Sequence, residues 1–247
     1  MALRSDIELF HLLFIKTFLT TQDKSLIVLK GGCNLRFFLG SNRYSEDIDF
    51  DVTTISRETL KKRVNKILSS QALGTSLAAR KIHIVTHTAP KQTDTVQRWK
   101  VTIHAQSLDI PTKIEFSRRG IDDPIAFECV DSVLMREYQI TPFLASHYPP
   151  EAAFLQKVHA LIHRSQTQAR DVFDLAHLLR SGVTTRGMEL PPRWREAQQN
   201  ALSVSFDVFK SQVLAFLSPD HQAQYDDPQM WDDLVLRVVE ALKGEAG

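Results

Sequence analysis

The run Ser45-Glu46-Asp47-Ile48-Asp49-Phe50-Asp51-Val52 constrains this chain more than any other segment. From Asp47 onward, acid and apolar residues alternate strictly. Side chains on a strand point to opposite faces in turn. Asp47, Asp49 and Asp51 therefore share one face, and Ile48, Phe50 and Val52 share the other. The apolar face suits a core. The acidic face is costly, because carboxylates this close repel one another and strands are depleted in Asp. A bridging cation removes the conflict, and a hard divalent ion such as Mg²⁺ binds through carboxylates together with substrate phosphates. Upstream, the apolar run Ser25 to Leu29 ends at Lys30-Gly31-Gly32. Two glycines after a strand let the backbone come close to a ligand. A turn leading into a short helix also offers N–H groups to a phosphate.

A chain of 247 residues with 43% hydrophobic and 24% charged residues can bury a real core. This excludes a disordered chain, a collagen-like chain and a coiled-coil rod. Two cysteines, Cys33 and Cys129, build neither a disulfide framework nor a four-cysteine zinc site. They point to a reducing, cytoplasmic setting. The apolar stretch Leu9 to Leu19 is interrupted by Lys16 and is far shorter than the roughly 20 residues of a membrane span. It follows Asp6 and Glu8 rather than a basic segment, so it does not read as a signal peptide. Charge is unevenly spread: residues 1–120 carry 19 Lys/Arg against 11 Asp/Glu, a balance of +8, and residues 121–247 carry 11 against 18, a balance of −7. A basic first half is compatible with phosphate-bearing partners, and uneven surface composition accounts for it equally well.

The expected elements are mixed in the first half. They are a helix over Ile7–Leu19, a strand at Ser25–Leu29, a short helix at Asn34–Leu39 and the strand Asp47–Val52. One helix follows over Ser56–Leu73, then β-rich runs at Arg80–Thr88 and Gln97–Ala105 separated by a polar, Pro-containing loop, and a strand at Thr112–Ser117. The second half reads as helices: Pro149–Arg164, one ending at Arg180 before Ser181-Gly182, Arg195–Leu217 and Pro228–Lys243. The pattern is α+β, with a mixed-sheet lobe over 1–145 and a helical lobe over 146–247.

Two further segments carry candidate chemistry. In Thr112-Lys113-Ile114-Glu115-Phe116-Ser117, Lys113 and Glu115 share a strand face. Beside the aspartate strand, Glu115 becomes a third carboxylate at a metal site, a set suited to two-metal phosphoryl chemistry; on its own the pair reads as an ordinary surface ion pair. In the helical half, Lys157, Leu161 and Arg164 line one helix face, and Asp171 and Asp174 lie one turn apart on the next helix. Arg170 and Asp174 are also spaced for a simple i,i+4 ion pair. The histidines, including His159 and His163, lack a third ligand at a supporting interval and read as ordinary surface or interface residues. Trp99, Trp194 and Trp231 read as packing anchors.

Taken together, Lys30-Gly31-Gly32-x-x-Leu35, Arg43-Tyr44-Ser45-Glu46-Asp47-Ile48-Asp49-Phe50, Lys113-x-Glu115, Lys157-x-x-Ala160 and Arg170-Asp171-x-x-Asp174-Leu175 resemble the nucleotidyltransferase superfamily. Within it, they resemble the AbiEii-like toxins of type IV toxin–antitoxin and phage-defence systems. The likeness spans about residues 25–180. It implies a nucleotidyltransferase lobe with a mixed sheet and flanking helices, plus a helical C-terminal lobe. It further implies metal-dependent transfer of a nucleoside monophosphate from an NTP to an acceptor hydroxyl, such as a tRNA 3′ end, with a cognate antitoxin as partner and no membrane. Asp47, Asp49 and Glu115 would hold two Mg²⁺ ions, or Mn²⁺ in their place, with Glu115 helping to deprotonate the acceptor. Lys30, Gly31, Gly32, Ser45, Lys113 and Lys157 would contact the nucleotide, Lys157 on the leaving phosphates, and Asp174 would complete the catalytic set. Cys33-Asn34 stands where the family often has Thr-Ala; Asn34 keeps a donor at that turn. The rival readings are a small-molecule or protein nucleotidyltransferase, a catalytically silent nucleotide-binding module, and an Asp-x-Asp glycosyltransferase.

Overall fold

The structure, a computed structural model, describes residues 2–20 and 23–243. Met1, residues 21–22 and residues 244–247 of the expected lobes lie outside the described residues. The chain divides into two compact units: Met1–Gly40 with Tyr44–Tyr148, and Ser41–Arg43 with Pro149–Gly247.

The first unit is built on helices α1 (Ala2–Leu19), α2 (Gly31–Phe38), α3 (Arg57–Leu68), α4 (Gln71–Ala78) and α5 (Ser132–Glu137), and on seven strands. These are β1 (Ile27–Lys30), β2 (Ile48–Val52), β3 (His83–Gln92), β4 (Val96–Ala105), β5 (Leu108–Ser117), β6 (Ala126–Cys129) and β7 (Leu144–His147). They form one mixed sheet in the order β3-β4-β5-β2-β1-β7-β6. β2 runs antiparallel to β1 and parallel to β5. The alternation in β2 sets its faces: Ile48, Phe50 and Val52 enter the core with α1, α3 and α4. Phe50 stacks on Phe116 of β5 at 4.9 Å, and Phe18 and Trp99 meet Phe116 edge-on at 5.4 and 5.7 Å.

Several boundaries differ from the sequence reading. The helix expected over 56–73 is two helices. Ser56 caps α3 through the Thr59 amide, and a second serine, Ser70, caps α4 through the Leu73 amide. The expected Pro-containing loop between the two runs is confined to residues 93–95: β3 runs on to Gln92 with Pro90 inside it. Proline is tolerated there because β3 is an edge strand and its register shifts between Thr88 and Lys91. β4 and β5 form one long hairpin closed at Gln106 (φ 51°) and Ser107 (φ 68°). Both turn residues sit in the left-handed region, as a tight hairpin of matching twist requires. Neither is Gly or Asn, which hid the turn and the first half of β5.

The second unit holds α6 (Pro150–His163), α7 (Ala169–Arg180), α8 (Trp194–Leu202), α9 (Phe206–Gln212), α10 (Pro219–Tyr225) and α11 (Pro228–Ala241). The single helix expected over 195–217 is broken after Leu202, and Ser205 caps α9. Trp231 stacks on Phe209 at 4.4 Å and donates its indole N–H to the Val204 carbonyl at 3.0 Å. Among the described residues, no helix is long and apolar enough to cross a membrane.

The β4–β5 turn yields a stability prediction. Ser107→Gly relieves a left-handed side-chain residue without touching the Gln106–Asp6 hydrogen bond, and should stabilise the chain by about 1 kcal/mol. The urea midpoint should rise with an unchanged slope; an unchanged or lower midpoint refutes the turn assignment.

Candidate active site

β2 lies between β1 and β5, so Asp49 faces a charged residue on each neighbour. Lys30 is opposite Asp49, Asp49 is opposite Glu115, and Glu115 is opposite Arg98 of β4. This is one row of side chains across four strands, in the order plus, minus, minus, plus. Arg98 Nε contacts Glu115 Oε2 at 2.5 Å. Asp47 sits just before β2. Its Oδ1 accepts the Lys113 amide at 3.0 Å, and its Oδ2 pairs with Lys113 Nζ at 2.7 Å. Asp47, Lys113, Glu115 and Arg98 all keep substantial solvent access, from 23 to 48%.

Asp51, third in the alternation, is different. It is 7% exposed, with Oδ1 on Lys30 Nζ at 2.6 Å and Oδ2 accepting the Tyr148 hydroxyl at 2.7 Å. Burial and this carboxylate together push the Tyr148 hydroxyl far above its ordinary pKa. Asp51 is therefore a strut that holds Lys30 and Tyr148, and Lys30 lies against the sheet in this pairing.

The two glycines are not a free turn. They are the first residues of α2, whose start has no side-chain cap. Gly31 has φ +67°, and a Cβ there would lie 2.8 Å from Asp49 Oδ2. Only glycine lets the backbone pass this close to the carboxylate. The next two residues turn inward. Cys33 is buried and donates its thiol to the Asp47 carbonyl at 3.3 Å, and the Ser45 hydroxyl donates to the same carbonyl at 2.9 Å. Asn34 is 1% exposed and spends its amide N–H on the Tyr148 carbonyl at 2.9 Å. The expectation that Asn34 serves as a donor at the turn is corrected: its amide is used inside the unit.

Whether these residues suit a divalent ion turns on the donor set. Among the described residues, no three His, Cys, Asp or Glu side chains are grouped as a metal cluster. Asp47 and Glu115 are each turned toward a protein cation. Mg²⁺ is commonly held by one or two carboxylates with phosphate oxygens completing the shell. Asp47 and Asp49 supply that number, so the donor set fits an ion arriving with a triphosphate.

In the second unit, Asp171 and Asp174 are wholly buried on α7. Arg43 grips Asp174 with Nε to Oδ1 at 3.1 Å and a terminal nitrogen to Oδ2 at 2.9 Å. Lys157 Nζ lies 2.7 Å from Asp174 Oδ2 and 3.0 Å from Asp171 Oδ1. Arg164 Nε approaches Asp171 Oδ2 at 2.9 Å without the alignment of a hydrogen bond. Burial alone would raise the Asp174 pKa, but Arg43 and Lys157 override it and hold it at about 2. Of the expected site residues, Lys157 and Asp174 thus meet each other.

With this geometry in view, residues 13–241 match the profile of the nucleotidyl transferase AbiEii toxins of type IV toxin–antitoxin systems. The chain belongs to the AbiEii family. It is accordingly a nucleotidyltransferase, which decides against the glycosyltransferase reading. Two solved structures share the fold. JHP933 from Helicobacter pylori is 21% identical, with TM-score 0.65, covering 98% of this chain and 91% of that one. MenT4, a nucleotidyltransferase toxin from Mycobacterium tuberculosis, is 17% identical, with TM-score 0.57, covering 96% and 85%. No curated protein sequence matches significantly.

Sequence reasoning missed Arg98, Arg43 as the partner of Asp174, and Tyr148. Arg98 was within reach, since a two-residue turn at 106–107 places residue 98 opposite 115. Arg43 and Tyr148 carry no local signal, because their partners lie 131 and 97 residues away.

Gly31→Ala strains a left-handed position and drives a methyl into Asp49. It should lower stability by about 1–2 kcal/mol yet reduce transferase activity far more, measured by urea unfolding beside label transfer. For Asp174, the native pKa of about 2 lies below the ordinary 3.8. Its stabilising contribution, about 2 kcal/mol, is complete above pH 4–5 and is lost as pH falls toward 2. Asp174→Asn should flatten that part of the stability–pH profile; an unchanged acid limb refutes the assignment.

Proposed function

We propose that this AbiEii nucleotidyltransferase moves a nucleoside monophosphate from an NTP to the hydroxyl of an RNA acceptor, a tRNA 3′ end, in a Mg²⁺-dependent reaction that releases pyrophosphate. The observation that carries this reading is the row Lys30–Asp49–Glu115–Arg98, with Asp47 beside it and Gly31 against Asp49 at the start of α2. Asp47 and Asp49 would hold the ion. When bound, it supplies charge neutralisation for the triphosphate and polarises the reacting phosphorus. The uncapped N–H groups at the start of α2 favour phosphate oxygens, and Gly31 keeps that approach open. Lys113 and Arg98 sit where they neutralise Asp47 and Glu115 in the free protein and can turn to phosphate when it arrives. Glu115, ion-paired but partly exposed, would accept the acceptor hydroxyl's proton. Catalysis then rests on positioning and electrostatics. The basic balance of residues 1–120 supports a polyanionic acceptor, and the family's type IV toxin–antitoxin setting supports a cognate antitoxin as partner.

The test is label transfer from each α-labelled NTP to total RNA with Mg²⁺, beside a protein-only control and Asp49→Asn. Label should appear on tRNA-sized RNA and fall by at least 100-fold in Asp49→Asn, on the order of a lost electrostatic catalytic group. Raising salt should weaken RNA labelling steeply. Label on protein alone would overturn the RNA acceptor. No transfer despite NTP binding would leave a small-molecule acceptor or a silent binding module.

A further inference from the structure

Beneath the acidic row lies a buried polar chain that the proposed chemistry does not use. Asp47 lies outside the strand ladder of β2, so something else must fix its backbone. Thr112 Oγ1 donates to the Glu46 carbonyl at 2.7 Å. A hydroxyl has one proton, so the His11 Nε2 that lies 2.8 Å from the same oxygen must be its donor. This sets the His11 tautomer: Nε2 carries the hydrogen and Nδ1 is the acceptor. Cys33 Sγ lies 3.7 Å from that Nδ1 and 3.3 Å from the Asp47 carbonyl. Ser45 Oγ closes the set on the Asp47 carbonyl at 2.9 Å. His11, Cys33 and Thr112 are buried, at 1%, 0% and 3% exposure. Burial lowers the His11 pKa to about 3, so the imidazole stays neutral across the working pH range.

We infer that His11, Thr112, Cys33 and Ser45 form a positioning clamp that grips the Glu46 and Asp47 carbonyls and thereby aims the Asp47 carboxylate. Thr112 is the hinge of the clamp. It is the residue before Lys113, whose amide holds Asp47 Oδ1 at 3.0 Å, so one short segment of β5 grips Asp47 by backbone and by side chain. The carboxylate end of Asp47 faces Lys113, and its carbonyl end faces Cys33 of α2 and Ser45. The inference rests on the reading of Asp47 as a substrate-side carboxylate only for its kinetic consequence; the clamp itself is tested without turnover.

The experiment compares Thr112→Val, which keeps the shape and removes the hydroxyl, with Thr112→Ser, which restores it. In the metal-free protein, ¹⁵N NMR should show His11 as the neutral Nε2–H tautomer from pH 5 to 8. Amide exchange should show Lys113 protected in the native protein and in Thr112→Ser, and faster by about 10-fold or more in Thr112→Val, while β4 amides remain protected. In the transferase assay, Thr112→Val should lower kcat about 10–100-fold, the scale of lost outer-shell support. The NTP KM should stay within about twofold, and Thr112→Ser should recover most of the rate. An Nδ1–H tautomer, or Lys113 exchange unchanged in Thr112→Val, overturns the clamp whatever the activity. Normal Lys113 loosening with no effect on kcat overturns its role in aiming Asp47. If the native protein transfers no label, the proposed function fails, and the two NMR readouts still decide the clamp. Should Thr112→Val fail to fold, Cys33→Ala under the same exchange measurement should loosen Lys113 and decides the question the same way.

Discussion

The pairing register of β2 is the constraint on which the first unit depends. Side chains alternate with a period of two, so a slip of one residue would turn Asp47, Asp49 and Asp51 into the Phe18–Phe50–Phe116 cluster and put Ile48, Phe50 and Val52 in water. Each carboxylate buried without a partner costs several kcal/mol, so no such slip is tolerable. The same register sets Phe50 against Phe116 on one side and Asp49 against Glu115 on the other. Gly31 belongs to this constraint too. α2 begins directly after Lys30, the residue opposite Asp49, so the backbone entering it must pass the carboxylate, and only a residue without Cβ fits.

Burial sorts the carboxylates into two kinds. Asp171, Asp174 and Asp51 are sealed, and every one is met by cations or a hydroxyl at close range. Removing a partner from such a group strands a charge in a poor solvent, so these contacts are permanent. Asp47 and Glu115 are also paired, but in contact with water, where an ion pair is worth only about 0–1 kcal/mol. Lys113 and Arg98 can therefore leave their carboxylates at little cost when a stronger charge approaches. The division separates acids sealed with permanent partners, Asp51 among them, from acids such as Asp47 and Glu115 whose ion pairs face water.

The acidic strand, its apolar reverse face, the strand-to-helix passage at Lys30-Gly31-Gly32 and the α+β order were legible in the residues, because strong period-two alternation and glycine pairs are local signals. What stayed hidden is non-local or set by tertiary context. Pro90 looked like a loop because only the sheet order shows that β3 is an edge. Gln106-Ser107 looked like strand ends because neither residue is a usual hairpin former. The short strands β6 and β7, four residues each, have no periodicity to detect. At the candidate site, sequence pattern placed Asp47, Asp49, Lys113 and Glu115 on strand faces but not the cations that meet them across the sheet. It also grouped Asp51 with its neighbours, since alternation says which face a side chain takes and nothing about how deep it lies.

Cys33 shows how a departure from a family pattern can be read physically. A hydroxyl at this turn invites a role in phosphate contact, and its loss suggests a weakened site. In the fold, residue 33 is buried in the core, where its thiol meets the Asp47 carbonyl and lies near His11. A thiol is larger and less polar than a hydroxyl, and it sits comfortably among buried apolar groups while still donating one weak hydrogen bond. The position therefore acts on the backbone of Asp47. What it requires is a compact side chain with one donor, and cysteine meets that requirement.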